Sequence, residues 1–267
     1  MRDALFVYGR LVRASMRSQM QYRAAFLLQT FGQFLITGIE VVGVWALFNR
    51  FHGLAGWTLP EVALLYGIVN VAFAIVDGVA RGFDTFGGLV SNGGFDLLLV
   101  RPRSTVLQLA GAELQLRRIG RLAQALLVLG WATARLQLTW GAADVATLAG
   151  AILGGACLFY GLIICQATCC FWTVESLELF NIVTYGGVET GQYPVAVYRS
   201  WFRRIFTWVV PLAAVTYFPA VAILGRVDPL GTTRMFQRCA PLLGLAFLLV
   251  ALRIWQFGVR HYRSTGS

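Results

Sequence analysis

Six long apolar stretches, with nearly all charge confined to the segments between them, decide what this chain can fold into. Ala24 to Asn49 is interrupted only by Glu40 and Val62 to Ala80 only by Asp77, while Val145 to Val174 and Ile205 to Gly225 carry no charge. A helix needs roughly 20 residues to cross a hydrocarbon layer about 30 Å thick, and these stretches supply them. Leu122 to Ala134 and Cys239 to Leu252 reach that length only if Arg121, Arg135 and Arg253 snorkel toward the headgroups. The sequence therefore predicts an all-α polytopic membrane protein, a single transmembrane unit over residues 1–267. Its six spans are expected near 24–48, 61–80, 116–138, 145–172, 205–225 and 239–259.

Composition supports this: a chain 58% hydrophobic and 13% charged cannot hide its apolar surface in one soluble core of 267 residues, so lipid must cover part of it. All 22 basic residues are arginines. With the N-terminus in the cytoplasm, 17 of the 22 fall in inner segments, among them the group Arg199, Arg203 and Arg204, so both termini are expected in the cytoplasm. The net charge of +10 then reflects orientation and contact with anionic lipid, and no nucleic-acid partner is expected because the arginines form no single groove. The first apolar run is too long for a cleaved signal sequence and reads as a retained anchor in the inner cell membrane.

Between the spans, residues 1–23 read as an interfacial helix, with Leu5, Tyr8, Val12 and Met16 on one face and Arg10, Arg13 and Arg17 on a neighbouring one. The loop over 81–104 places a short helical piece before paired glycines and an apolar strip closed by Pro102, a compact elbow suited to docking. Thr173 to Arg204 admits two paths. Either it lies at the cytoplasmic face, which three clustered arginines favour, or Phe171 to Gln192 crosses the membrane and Ile205 to Gly225 forms a re-entrant hairpin broken by Pro211 and Pro219.

Inside the first span, Gln29, Gln33, Thr37 and Glu40 make one polar stripe, either a translocation path or a helix interface. Asp77 stands four residues before Arg81 and reads as its ion-pair partner. Four of the five cysteines fall inside the fourth span as small apolar residues, and His52 and His261 lie in different loops, so no metal site is expected.

With no lysine, a phosphate-binding loop of the G-x-x-x-x-G-K-[ST] kind is impossible, and neither H-E-x-x-H nor G-x-S-x-G occurs. The chain reads as non-catalytic. The segment Gly93 to Arg103 (GGFDLLLVRPR), the run Tyr193 to Tyr198 (YPVAVY), Pro211 to Pro219 (PLAAVTYFP) and Tyr262 to Gly266 (YRSTG) together resemble the permease of a bacterial type-2 ATP-binding-cassette exporter. The resemblance covers nearly the whole chain, departing at Arg199, where the family often has a second proline.

That resemblance implies a membrane subunit that pairs with a second permease, identical or a sister, and with separate ATPase subunits. ATP and magnesium would be bound by that partner, leaving this chain without a cofactor. The elbow would be the coupling helix, with Arg81, Phe83, Asp84 and Phe86 contacting the ATPase. The alternatives are an ion-coupled secondary transporter, using Glu40 and Asp77 as carriers, or a non-transporting scaffold or immunity protein.

Overall fold

The structure, a computed structural model, describes residues 21–51, 53–102, 104–112, 115, 118–173 and 176–262. The surface helix expected over 1–23 lies outside these residues except for its last three. The protein is 79% helical, and among the described residues there is no strand, only a lone bridge between Leu54 and Trp57, so the all-α expectation holds.

Helix α1 (Arg23–Phe51) is followed by α2 (Leu59–Val79), whose first turn is capped by the Glu61 carboxylate accepting from the Thr58 N–H at 2.8 Å. The elbow then supplies α3 (Arg81–Asp84), α4 (Phe86–Ser91), α5 (Gly94–Leu99) and α6 (Thr105–Ala112). Helices α7 (Ile119–Arg135), α8 (Ala142–Cys169) and α9 (Ser176–Gly191) follow. Next come α10 (Ser200–Arg204), which runs on as a single π turn over Ile205–Val209, then α11 (Leu212–Val215), α12 (Tyr217–Leu224), α13 (Arg234–Cys239) and α14 (Leu242–His261).

Four of these, α1, α2, α8 and α14, are long and apolar enough to cross a membrane, and the bent unit from Ser200 to Leu224 makes a fifth if counted whole. Among the described residues the count is therefore four to five, against the six expected. The span expected over 116–138 is a helix of 17 residues, or about 25 Å, and the one expected over 205–225 turns through 69° where Pro211 breaks the hydrogen-bond ladder.

Helix α2 is the axis of the bundle, buried along most of its length by α7, α8, α9 and α12. Its approach to α7 is close at Gly67, where a Cβ would lie 2.8 Å from the Leu129 side chain. Helix α1, by contrast, packs chiefly on α7, where Gly120 brings the two backbones together: a Cβ there would sit 2.1 Å from the Thr30 carbonyl.

Ion pairs hold the end of the bundle away from the elbow. Arg226 meets Glu61 at 2.7 Å and lies over the Trp57 ring, Arg238 meets Asp144 at 2.9 Å, and Asp228 accepts from Tyr217 Oη and the Leu230 N–H. Arg203 and Arg204 belong to this end too, lining a cleft with Leu230, Thr232 and Phe236. This corrects the charge count, which places them beside the elbow. Helix α9 explains the reversal: it leads from the Cys169 end of α8 to Gly191, against Val69 in the middle of α2, and Tyr193 joins the far core. Over 173–204, α9 packs beside α8 and α2 but is not among the helices long and apolar enough to cross a membrane, while 200–224 does bend at Pro211 as a hairpin there would.

Candidate functional site

The elbow is anchored by aromatic packing. Phe83 and Phe86 are almost fully buried, and Trp255 of α14 stands against both, with ring centroids 5.8 and 5.1 Å away. Phe95 closes the group against Phe86 and Tyr262, and the Trp255 indole N–H donates to Thr105 Oγ1 at 2.9 Å. Gly93 makes the reversal into α5 with φ of 68°, the left-handed conformation that glycine adopts without strain. On the outer side, Arg81 pairs with Asp84. Burial raises the Asp84 carboxyl above the ordinary aspartate value even with that guanidinium beside it. The exposed elbow surface includes Thr85, Gly88, Ser91 and Asn92, then an apolar tip where Leu97 and Val100 are 70% and 83% accessible, followed by exposed Arg101 and Pro102.

A buried polar network continues from the elbow into the bundle. Asp77, at the elbow end of α2, pairs with Arg118 at the head of α7 at 3.0 Å, and Arg118 Nη1 also donates to Gln33 Oε1 at 3.4 Å. One turn further along α7, Arg121 donates to Asn70 Oδ1 at 3.0 Å while its guanidinium lies over the Phe73 ring. Tyr66 Oη forms the next node, 3.4 Å from Glu40 Oε2, the Thr37 carbonyl and Gln124 Oε1. Water is scarce at such depth, so each charge needs a protein partner, and the network supplies one for Asp77, Arg118 and Arg121.

The profile described as "ABC-2 family transporter protein" matches residues 34–266. The chain belongs to that family. No curated protein and no solved structure matches it. As an ABC-2 family transporter protein it is a multi-pass permease component of an ABC transporter, a membrane part that does not itself hydrolyse ATP.

Within this ABC-2 permease the residues singled out from sequence divide sharply. Gln33, Thr37 and Glu40 do turn toward α2 and α7, whereas Gln29 is exposed. Arg81 and Asp84 sit half-buried on the elbow as an ion pair. Phe83 and Phe86 face inward, so the expected contact of their rings with an ATPase is corrected: they brace the elbow from behind. Two pairings also change. Asp77 reaches Arg118, not the Arg81 of its own helix face, and Arg121 is 7% exposed inside the bundle where snorkelling is expected from sequence.

Sequence reasoning missed Tyr66, Asn70 and Gln124 altogether. Their signal was present: Tyr66, Asn70, Phe73 and Asp77 share one face of α2, and Arg118, Arg121 and Gln124 share one face of α7.

Proposed function

We propose that this permease is the membrane subunit of an exporter in the cell membrane, working as one of two permeases above two separate ATPase subunits. The elbow end and both termini face the cytoplasm in this reading. The observation that carries it is the elbow itself, whose base is locked into the aromatic core while its apolar tip, Leu97 and Val100, stands bare. A bare apolar tip on a rigid base is what a docking element requires. ATP-driven closure of the partner ATPases would push this tip, and the Asp77–Arg118–Gln33 links would pass the displacement to α1, the least buried of the four membrane-length helices. Substrate would then leave toward the outer face.

The test is purification of the tagged protein from native membranes. A Walker-motif ATPase should co-elute with the unaltered chain and be lost from the double variant Leu97→Asp, Val100→Asp. Retention of the ATPase by that variant, with the protein correctly inserted, would remove the elbow from this role.

A further inference from the structure

At the end of the bundle away from the elbow, the cleft beside the bent unit from Ser200 to Leu224 measures about 470 Å³, within the roughly 300–1,000 Å³ that small-molecule sites occupy. Arg203 and Arg204 both line it, and no carboxylate does. Ser200, one helical turn earlier, adds a hydroxyl, while Trp208, Phe236 and Leu243 give the cleft an apolar side.

The protein supplies no partner for the two guanidinium groups. Among the described residues neither forms an ion pair or a side-chain hydrogen bond. The acidic groups at this end are engaged elsewhere: Glu61 with Arg226, Asp144 with Arg238. Asp228, which reaches the cleft wall through Thr232, accepts from that hydroxyl, from Tyr217 Oη and from the Leu230 N–H. Setting Asp228 and the exposed Glu189 of α9 against Arg199, Arg203 and Arg204 still leaves the neighbourhood positive. A guanidinium fork matches phosphate oxygens in paired hydrogen bonds, and a basic pocket between membrane helices suits a lipid headgroup. Trp201 and Trp208, both exposed beside the arginines, are the side chains that favour the level of the headgroups.

The surface below the cleft has the complementary character. Leu243, part of the cleft wall, shares one face of α14 with Val250 and Ile254, and all three are exposed. A free phosphate would meet the arginines and leave this stripe bare, and an uncharged lipid would cover the stripe and leave the arginines with a positive excess. We propose that the cleft binds an anionic phospholipid, its phosphate between Arg203 and Arg204 with the Ser200 hydroxyl donating, and one acyl chain along Leu243, Val250 and Ile254. The site needs only a membrane-embedded chain; the exporter reading enters in one respect, by placing the lipid in the outer leaflet.

Native mass spectrometry of the full chain, released from micelles of an uncharged detergent, counts the lipids it retains. Dioleoyl phosphatidylglycerol should occupy one site at about tenfold lower concentration than dioleoyl phosphatidylcholine, which has the same chains and no net charge. The double variant Arg203→Gln, Arg204→Gln should erase that preference. Arg253→Gln, Arg260→Gln, which removes the same charge from exposed positions toward the elbow end of α14, should keep it. Equal retention of the two lipids, an unchanged preference in a folded Arg203→Gln, Arg204→Gln protein, or an equal loss in the α14 variant would overturn the site. Displacement of the lipid by equimolar inorganic phosphate would overturn it as well, since the headgroup alone would then account for binding. If an ATPase co-purifies with a chain that shows no lipid preference, the site alone falls. A lipid preference in a chain that captures no ATPase sinks the exporter reading and leaves the site standing.

Discussion

Helices α1 and α2 are both apolar enough to cross a bilayer, yet 17% of the most apolar stretch of α1 is buried and 83% of that of α2. Hydropathy records only that lipid would accept either helix. What places α2 inside is a face of hydrogen-bonding groups, Tyr66, Asn70 and Asp77, that must find partners away from water and finds them on α7. Helix α1 offers the network its Gln33, Thr37 and Glu40 and leaves Leu28, Ile36 and Ile39 outward. One helix is thus an axis and the other a flank held along a single seam.

The strongest way to break this contrast is Asp77→Ala, which strands Arg118 in the interior and should cost about 3–5 kcal/mol in reversible unfolding from mixed micelles. A loss no larger than that of an exposed substitution would mean that the ion pair does not organise the axis. Overpacking comes next. Gly67→Val drives a side chain into Leu129 and should cost about 1–3 kcal/mol. Gly120→Val, against the Thr30 carbonyl, should loosen α1 from α7 and raise hydrogen exchange in 23–50 while α2 stays protected.

A smaller effect of opposite sign is expected at Gly38 of α1, where an added Cβ would meet nothing within 4 Å. Gly38→Ala should gain about 0.5–1 kcal/mol of helix stability in the same unfolding measurement. The smallest effect concerns pH at the elbow. Because burial raises Asp84 above 3.8, the folded state holds that proton more tightly than the unfolded chain does, and stability falls as pH rises from 3.8 through the raised value. Asp84→Asn should flatten that part of the thermal-unfolding profile, and parallel profiles for the two proteins would dismiss the carboxyl as its source.

Much of the fold could be read from single-helix information. Apolar length located α1, α2, α8 and α14, the glycine pair at 93–94 announced a reversal, and Pro211 announced a break. What stayed hidden depends on partners distant in sequence. The i, i+4 rule offers Asp77 its neighbour Arg81, while the structure gives it Arg118, on the helix that packs alongside. Snorkelling is what an isolated helix end allows Arg121, and only Asn70 and Phe73 across the seam make its burial tolerable. The arginines at 199–204 group with the elbow on a charge count because such clusters carry no record of the direction from which the chain arrives. At the candidate site, residue type marked Glu40 and Thr37, but the inward orientation of Phe83 and Phe86 required α14 in place.

The Trp255 to Thr105 bond joins residues 150 positions apart, so the back wall of the elbow is translated long after its front. At about 5–20 residues per second the ribosome leaves an interval of roughly 8 to 30 s in which 81–112 has been made and its brace has not. During that window Phe83, Phe86 and Phe95 have no indole to close over them, and the nascent chain carries an unfinished apolar face. The elbow is thus a feature whose two halves are separated in time as well as in sequence, and its aromatic wall closes only when α14 arrives.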